Sequence, residues 1–324
     1  MILTVTPNPS IDRTVTLNSP LARGAVHRVA SVSVEPGGKG VNVARALMLA
    51  GLDAVALLPA PAGDPLLAAL DATGLTYRAI TPGAAPVRTN ITVTENDGTT
   101  TKLNEAGSYL DLVTAAALTD AVVESAAQAS WVVLSGSLPP GLSPHWYADV
   151  VALLAPLDCR VAVDTSDQPL ATLAASFDHA APDLIKPNAE ELAGITGSNP
   201  QELEAAASRG DPEPVVAAAR KVVDRGARCV LATLGAAGAV LVDGTGSWVA
   251  VPPAVVVRST VGAGDASLAG YLYAHVQGAE AAERLRMAVA YGSAAASLPG
   301  SALPSPVQVH ADDVRAQQVS RQVV

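Results

Sequence analysis

Aromatic side chains are scarce in this chain. They make up 3% of its 324 residues, whereas hydrophobic residues of all kinds make up 49%. The hydrophobic core must therefore be built mainly from alanine, valine and leucine, which is ordinary for an alanine-rich parallel α/β protein. The length is sufficient for one large α/β domain or for two small ones.

Cysteine and positive charge are also in short supply. Cys159 and Cys229 are the only cysteines, and each lies beside an expected β-strand, which favours buried free thiols over a disulfide. Lys and Arg number 20 against 30 Asp and Glu, so the formal net charge is −10. This balance argues against a general binder of nucleic acid or of anionic membranes, although a local cationic cluster could still bind a phosphorylated small molecule.

Several signals of other protein classes are missing. The start, MILTVTPNP, reaches a proline too early for a signal peptide, and no uncharged apolar run approaches bilayer length, so we expect a cytoplasmic protein. Lys39 is followed by glycine, which sets aside a Walker P-loop, and the glycines of residues 37–40 have the wrong spacing for a dinucleotide fingerprint. The five histidines show no metal-ligand spacing.

The chain does contain a regular alternation of short β-rich runs with helical patterns. The β-rich runs include ILTVT, DAVALL, WVVLSG, RVAVDTS, DLIKPN and CVLATLG, which predicts βαβ units and a parallel sheet covered on both faces. Residues 14–34 and 87–104 depart from this rhythm: they alternate like strands, with a hairpin signal, NDG, at residues 96–98. Residues 198–214 are polar and contain helix breakers, so we expect a surface insertion there.

Residues 259–272, STVGAGDASLAGYL, place Asp265 in the expected first turn of a helix. Gly262 and Gly264 let backbone amides approach a ligand closely, and the N–H groups of a helix N-terminus form a site for anionic oxygen. A carboxylate there can take a proton from a hydroxyl that attacks a phosphorus atom held by those amides. The segment predicts phosphoryl transfer to an alcohol, with Asp265 as general base and the turn Gly262, Ala263 and Gly264 as anion hole. A glycine-containing helix cap with Asp near the dipole is the plainer interpretation.

A second glycine-rich helix start lies at residues 36–51, PGGKGVNVARALMLAG. The two segments resemble the two signature motifs of the ribokinase-like (PfkB) family of carbohydrate kinases, and TPNPSIDRTV, SGSLPPG, KPNAEEL and TLGAAGA agree with that family along essentially the whole chain. The resemblance implies an α/β fold, a three-layer αβα sandwich with a central mostly parallel sheet and a small β-sheet lid. It implies one kinase domain over residues 1–310, with lid segments at 12–34 and 87–105 and a C-terminal tail at 311–324.

The same resemblance implies a role for each matched residue and names ATP and Mg²⁺ as cofactors. To the sugar substrate it assigns Asp12, Gly37, Gly38, Lys39, Asn42, Arg88, Asn90, Lys102 and Ser137. Arg88 and Lys102 would contact a substrate phosphate, for which Arg offers a bidentate fork and Lys a point charge. To the nucleotide it assigns Lys186, Asn188, Thr233, Gly235 and Gly238, and to Mg²⁺ Asn188 and Glu191. A homodimer formed through the lid is also implied. The absence of a nucleic-acid or membrane partner is predicted by the acidic composition instead.

Within the family, the first residues and the lid resemble most closely the branch that converts fructose 1-phosphate and ATP into fructose 1,6-bisphosphate and ADP. Tagatose-6-phosphate kinases and 6-phosphofructokinases share almost all of these motifs and stay open as alternatives, as does a non-catalytic sugar-phosphate sensor on the same fold. One departure is Asp167, where relatives often carry glycine. We expect this side chain to change the local backbone geometry or the nucleotide affinity.

Overall fold

The computed structural model describes residues 1–81 and 83–319 and shows an α/β fold. Its strands, in chain order, are β1 (Ile2–Val5), β2 (Ser10–Thr16), β3 (Ser31–Gly37), β4 (Ala54–Pro59), β5 (Thr76–Ile80), β6 (Arg88–Thr94), β7 (Thr100–Asn104), β8 (Trp131–Ser135), β9 (Arg160–Asp164), β10 (Leu184–Ile185), β11 (Cys229–Thr233), β12 (Ala239–Asp243), β13 (Ser247–Val251) and β14 (Arg315–Gln318). Its α-helices are α1 (Lys39–Leu49), α2 (Pro65–Thr73), α3 (Leu112–Ala126), α4 (Trp146–Leu154), α5 (Asp167–Ala175), α6 (Ala189–Thr196), α7 (Pro200–Ser208), α8 (Glu213–Asp224), α9 (Ala263–Val276) and α10 (Ala281–Ala296). The strands and helices that the alternating pattern predicts are all present.

A ten-stranded sheet forms the middle layer, in the order β14-β13-β12-β11-β10-β9-β8-β1-β4-β5. Neighbours from β11 to β5 run parallel, whereas β12, β13 and β14 add antiparallel strands at one side. All four residues of β1 and all five of β8 are buried, as expected for strands covered on both faces. The parallel strands therefore end at one common edge of the sheet.

Two separate hydrophobic clusters cover the two faces of this sheet. Alternate residues of one strand point to opposite faces, so Leu3 lies in one cluster and Ile2 in the other. Helices α3 to α8 contribute to the first cluster, and α1, α2, α9 and α10 to the second. The three-layer αβα sandwich is thus confirmed.

Local sequence signals explain where several helices begin and end. Asp64 caps α2 by accepting a hydrogen bond from the Leu66 amide, Pro65 is the first helical residue, and Gly74 ends the helix with φ 73°. The expected surface insertion at residues 198–214 contains α7, which Asn199 caps in the same way, and its Leu203 is buried.

A second, four-stranded sheet, in the order β3-β2-β6-β7, forms the small lid. β2 and β6 run parallel, with Ser10 beside Arg88 and Asp12 beside Asn90. β6 and β7 form the predicted hairpin, closed by a hydrogen bond from the Glu95 amide to the Thr99 carbonyl. The lid therefore joins two stretches of chain that lie far apart in the sequence.

Two details differ from what the sequence suggests. β14 lies within the stretch assigned to the C-terminal tail, and it pairs with β13 at the end of the large sheet. Cys229 is buried as expected, but Cys159 is only half-buried, and both are free thiols. None of the helices among the described residues has the length and apolar character needed to cross a membrane.

Candidate active site

The residues that the motifs single out gather at the edge where the parallel strands end. Asp164 is the last residue of β9, Lys186 directly follows β10, and Thr233 is the last residue of β11. An isolated parallel β-bridge joins Asn188 to Thr233. Ligands of open α/β sheets bind outside the carboxyl ends of the strands, so this edge is the expected position for reactants.

Asp265 lies where the sequence predicts it, in the first turn of α9. Gly262 precedes the helix with φ 74°, a left-handed conformation that favours glycine. The Ala263 amide makes a 3.4 Å hydrogen bond to the Thr260 carbonyl, whereas the amides of Gly264 and Asp265 are first-turn donors without an intrahelical partner. The start of α9 therefore offers backbone N–H groups to an anion beside a carboxylate.

The Asp265 carboxylate is itself buried, with 6% of the residue exposed. Its Oδ2 accepts a hydrogen bond from Nδ2 of Asn42 on α1, at 2.8 Å. Burial raises the pKa of Asp265 to about 6, against the opposing effects of the Lys39 ammonium and the Asn42 hydrogen bond, while Asp164 acts in the same direction as burial. A carboxylate with this pKa is ionised at neutral pH and is a stronger base than an exposed one.

A buried carboxylate, Asp164, holds two active-site lysines. Its Oδ1 lies 2.9 Å from Lys39 Nζ, and its Oδ2 lies 3.1 Å from Lys186 Nζ, while its own side chain is fully buried. Burial alone would raise the pKa of Asp164, but the two ammonium groups outweigh it and hold that pKa below its usual range. A Cβ on Gly264 would lie 3.3 Å from Lys186 Nζ, so this ammonium is next to the start of α9.

Asp164 is a residue of this site for which the sequence motifs predicted no role. Its position was visible, because it ends the apolar run RVAVD and precedes two hydroxyl residues, and polar residues that end buried strands commonly reach the active edge of such sheets. Lys39, assigned to the sugar, and Lys186, assigned to the nucleotide, are brought together by it. The net shift in the pKa of Lys39 is upward, since Asp164 and Asp265 outweigh the lowering by burial.

Polar groups for a sugar lie between the lid and α1. Asp12 Oδ1 accepts hydrogen bonds from Ser10 Oγ at 2.8 Å and from Asn90 Nδ2 at 3.0 Å. The amide oxygens of Asn42 and Asn90 are buried and make no hydrogen bond within the described part of the chain. Buried acceptors without partners are costly, so these two are suited to the hydroxyl groups of a ligand.

The first glycines of the 36–51 motif stand where side chains would collide. A Cβ on Gly37 would overlap the Asp12 carboxylate, and a Cβ on Gly38 would approach the Thr6 side chain. Gly38 also has φ 107°, which disfavours any other residue. Glycine at these positions therefore lets the end of β3 and the start of α1 pack closely against Asp12 and Thr6.

Three more residues assigned to the sugar substrate lie in different surroundings, and two of them, Arg88 and Lys102, were assigned to its phosphate. Arg88 Nη1 donates to the Glu105 carbonyl at 3.0 Å, and its Nε is buried without a hydrogen-bond partner among residues 1–81 and 83–319. Lys102 lies on β7 with an exposed side chain. Ser137 Oγ accepts a 3.2 Å hydrogen bond from Asn8 on the loop after β1, so it lies at the same edge of the large sheet.

Asn188 and Glu191 form a capping box at the start of α6. Asn188 Oδ1 accepts from the Glu191 amide at 2.8 Å, and Glu191 Oε2 accepts from the Asn188 amide at 2.9 Å. Glu191 Oε1 is left for another partner, and burial raises the pKa of this carboxyl. No group of three or more His, Cys, Asp and Glu among the described residues could hold a metal ion. One carboxylate and one amide fit Mg²⁺ where phosphate oxygens and water complete the shell.

A cleft of about 430 Å³ lies beside this capping box. The cleft is lined by Asn188, Thr233 and Gly235. Helix α7, which lies in the predicted surface insertion, contributes Glu204 and Ser208 to the lining. Gly238 does not line this cleft: it has φ 96°, and a Cβ there would overlap the Ala250 carbonyl, so it makes the tight turn between β11 and β12.

The chain is similar along most of its length to known proteins. The family model described as pfkB family carbohydrate kinase matches residues 6–308. The chain is 37% identical over 319 residues to a 1-phosphofructokinase of Rhodobacter capsulatus, covering 96% of this chain and 95% of that protein. It is 39% identical over 310 residues to a 1-phosphofructokinase of Haloferax volcanii, covering 94% and 93%. Among solved structures, phosphofructokinase-2 of Escherichia coli in complex with substrates and products matches with a TM-score of 0.85 at 29% identity, covering 95% of this chain and 96% of that chain.

Proposed function

This chain belongs to the pfkB family of carbohydrate kinases, and we propose that it transfers the terminal phosphoryl group of ATP to fructose 1-phosphate, giving fructose 1,6-bisphosphate and ADP. The observation that carries the proposal is the buried Asp265 carboxylate in the first turn of α9, where the backbone N–H groups have no intrahelical partner. The similarity to two 1-phosphofructokinases over most of the chain supports the choice of sugar.

In the proposed reaction, Asp265 accepts the proton of the sugar's C6 hydroxyl. The hydroxyl oxygen forms a bond to the terminal phosphorus of ATP, while the bond between that phosphorus and the oxygen shared with ADP breaks and its electron pair leaves with ADP. Phosphoryl transfer depends mainly on positioning and on neutralising negative charge. The amides of the turn at Gly262, Ala263 and Gly264, with the ammonium groups of Lys39 and Lys186, provide that neutralisation in this proposal.

The sugar is held from the lid and from α1. Asp12 and the free amide oxygens of Asn42 and Asn90 accept hydrogen bonds from its hydroxyl groups. Arg88, with Lys102 from the same lid, binds the phosphate on C1. Backbone N–H groups of the turn after β11 and the side chains of Lys186 and Asn188 bind the phosphates of ATP.

Asn188 and Glu191 would hold Mg²⁺ at the start of α6. When bound, this ion would offset the negative charge of the ATP phosphates. The Lys186 ammonium, which lies next to the start of α9, and the amides of α9 would offset negative charge on the same phosphates. We place the reaction in the cytoplasm, where ATP is available.

A coupled ADP-release assay with a panel of sugars tests the proposed substrate. The panel contains fructose 1-phosphate, fructose 6-phosphate, tagatose 6-phosphate, fructose and ribose. We expect the largest kcat/KM with fructose 1-phosphate. Activity confined to unphosphorylated sugars would contradict both the substrate and the role of Arg88 and Lys102.

A second candidate, phosphorylation of a hexose 6-phosphate, is favoured by the structural similarity to phosphofructokinase-2 of Escherichia coli. It requires only that the sugar lie with its phosphate at the same lid cations and its C1 hydroxyl at Asp265. The same panel separates the two, because the second candidate predicts a larger kcat/KM with fructose 6-phosphate or tagatose 6-phosphate. Ligand binding without any ADP release would instead support a sugar-phosphate sensor.

The proposed assembly is a homodimer formed through the lid. Val32, Val34 and Leu103 on the lid strands are 41%, 53% and 57% exposed, and a second copy of the lid would cover such residues. Light scattering coupled to gel filtration should give twice the 32.6 kDa of the chain. Replacing Val34 with Lys should shift the protein towards the monomer mass, and an unchanged mass would count against this interface.

A further inference from the structure

The two glycine-rich motifs are joined by one buried hydrogen bond. Asn42, on α1, donates from Nδ2 to Oδ2 of Asp265, on α9, over 2.8 Å. Both residues are nearly inaccessible, at 5% and 6% exposure. A hydrogen bond from a neutral donor to a buried carboxylate is stronger than one between neutral groups, and leaving such a carboxylate unpaired is costly. This contact therefore has consequences for the proposed base as well as for the sugar.

Asn42 makes the only hydrogen bond to the Asp265 carboxylate within residues 1–81 and 83–319. An ionised carboxylate has two equivalent oxygens and rotates broadly about its last torsion. Since Asn42 occupies Oδ2, rotation is restricted and Oδ1 is left for the attacking hydroxyl. A general base must lie within hydrogen-bond distance of the proton that it removes, so restricting this torsion supports catalysis directly.

The other groups around Asp265 cannot replace this contact. The charged groups that act on it are Lys39 at the start of α1, Asp164 at the end of β9 and Lys186 after β10. Both lysines are already paired with Asp164, at 2.9 Å and 3.1 Å. They influence Asp265 through space, but neither donates a hydrogen bond to it. Orientation of the carboxylate therefore depends on Asn42.

The amide oxygen of Asn42 is available to a ligand. Asn42 Oδ1 is buried and has no hydrogen-bond partner in the described part of the chain. With its NH₂ group committed to Asp265, this oxygen faces away from the base and can accept a hydrogen bond from a sugar hydroxyl next to the one that reacts. One amide can thus hold the base and the sugar in a fixed relation.

We propose that Asn42 is a positioning residue for Asp265: its amide fixes the carboxylate through Oδ2, leaves Oδ1 for the reacting hydroxyl, and ties the position of the base to that of the sugar. This inference rests on the proposed function, because it takes Asp265 as the base. It goes beyond a contact with the sugar, which by itself would only change substrate affinity.

Three variants distinguish positioning of Asp265 from a simple contact with the sugar. The measurements are the pH profile of kcat and the separate effects on kcat and KM. Asn42→Ala removes both the donor and the acceptor. Asn42→Asp keeps an acceptor for the sugar and nearly the same shape, but replaces the donor with a negative charge beside Asp265. Asn90→Ala is the matched control, since Asn90 is also an amide with a free buried oxygen and donates to Asp12 instead of Asp265.

The expected results follow from the sign of each change. Without the Asn42 donor, the ionised form of Asp265 loses stabilisation, so the acid limb of kcat moves to higher pH in Asn42→Ala and further in Asn42→Asp. We expect kcat at pH 7 to fall about 10-fold to 100-fold in both, whereas Asn90→Ala raises KM for the sugar and leaves the acid limb in place. An Asn42→Asp enzyme with wild-type kcat and an unmoved acid limb would overturn the proposal.

A double-mutant cycle on thermal unfolding tests the contact between Asn42 and Asp265 independently of enzyme activity. Asn42→Ala, Asp265→Ala and the double variant are compared at pH 8, where Asp265 of the wild type is ionised, because alanine removes the donor in one case and the acceptor in the other. We expect the shifts in Tm to be clearly non-additive, as for groups in direct contact. Additive shifts overturn the proposal even if the enzyme is active. Coupled shifts in a protein that phosphorylates none of the sugars would support the Asn42–Asp265 contact and contradict the proposed function.

Discussion

Asp265 is buried in the folded protein, although an ionised carboxylate is more stable in water. Burial raises its pKa to about 6, so ionising this carboxyl requires more free energy in the folded protein than in the unfolded chain. Because the folded pKa lies above the unfolded value near 3.9, the protein is stabilised at low pH and loses that stabilisation as the pH rises through about 6. Function and stability are therefore opposed at this residue.

Asp265→Asn should raise stability at alkaline pH. The amide is neutral at every pH, so the free energy of unfolding at pH 8 should increase by about 1–3 kcal/mol, the equivalent of about two pKa units. Chemical denaturation at pH 5 and pH 8 measures the change, which should be smaller at pH 5. The exposed Asp158→Asn is the control and should stay within about 0.5 kcal/mol of wild type. A loss of stability at pH 8 would contradict the account of Asp265.

Asp164 is a buried residue whose charge is matched by Lys39 and Lys186. Asp164→Asn removes one partner and leaves two ammonium groups close together, which should lower the free energy of unfolding by about 3 kcal/mol or more. The control is Glu124→Gln, since Glu124 pairs with Arg78 at the surface with 71% of its side chain exposed. That change should cost less than about 1 kcal/mol. Equal losses in the two variants would contradict the role of Asp164.

Helix α5 starts with an unusual backbone conformation. Asp167, its first residue, has φ 55°, and it is the only non-glycine residue with positive φ in the described part of the chain. Relatives that carry glycine here would adopt this conformation without a steric penalty. Asp is one of the few residues other than glycine that tolerate a left-handed conformation, so Asp167 is compatible with this backbone. An effect of its side chain on the local geometry or on nucleotide affinity stays a prediction.

Two substitutions at Asp167 test this explanation. Asp167→Gly should leave the free energy of unfolding within about 1 kcal/mol of wild type or raise it, because steric relief offsets the added chain entropy. Asp167→Val should lower it by about 1–2 kcal/mol, since a β-branched residue is strained at positive φ. Gln168→Gly, at the next helical residue, is the control and should be destabilising by about 0.5–1 kcal/mol. Equal effects of Gly and Val at residue 167 would contradict it.

The predictability of each element follows its pattern of apolar residues. The buried parallel strands, α1 and α4 could be predicted from their apolar residues, whereas α2 and α6 also have side-chain caps at their first turns. β14 could not, because RAQQ has no apolar alternation and pairs at the outer side of the sheet. The positions of Asp265 and Asn42 on their helices followed from the motifs. Their hydrogen bond did not, because it depends on how α1 and α9 pack.

In the molecule as a whole, the lid differs from the large sheet because few of its residues are buried. Val93 is buried, but most residues of β3 and β7 are exposed. Such a sheet can move relative to the sandwich more easily than its core strands can. We infer that sugar binding closes the lid, and closure would exclude water from ATP.

Arg88→Ala tests how the lid contributes to binding. Removing the guanidinium should weaken fructose 1-phosphate affinity about 10-fold or more, as expected for a charged hydrogen bond to phosphate, and change ATP affinity little. Isothermal titration calorimetry with each ligand measures both. Arg315→Ala, on β14 at the outer side of the large sheet with an exposed side chain, is the control and should change neither. Equal losses for sugar and nucleotide would place Arg88 outside the sugar site.

The role of Asp265 as general base is tested by comparing wild type with Asp265→Asn in an ADP-release assay with fructose 1-phosphate. We expect kcat to fall by about 10²–10⁴-fold, because the base is removed, while calorimetry shows sugar and ATP binding close to wild type. The wild-type rate should also fall as the pH drops below about 6, following the pKa of Asp265. An Asp265→Asn enzyme that turns over fructose 1-phosphate at the wild-type rate would contradict the account.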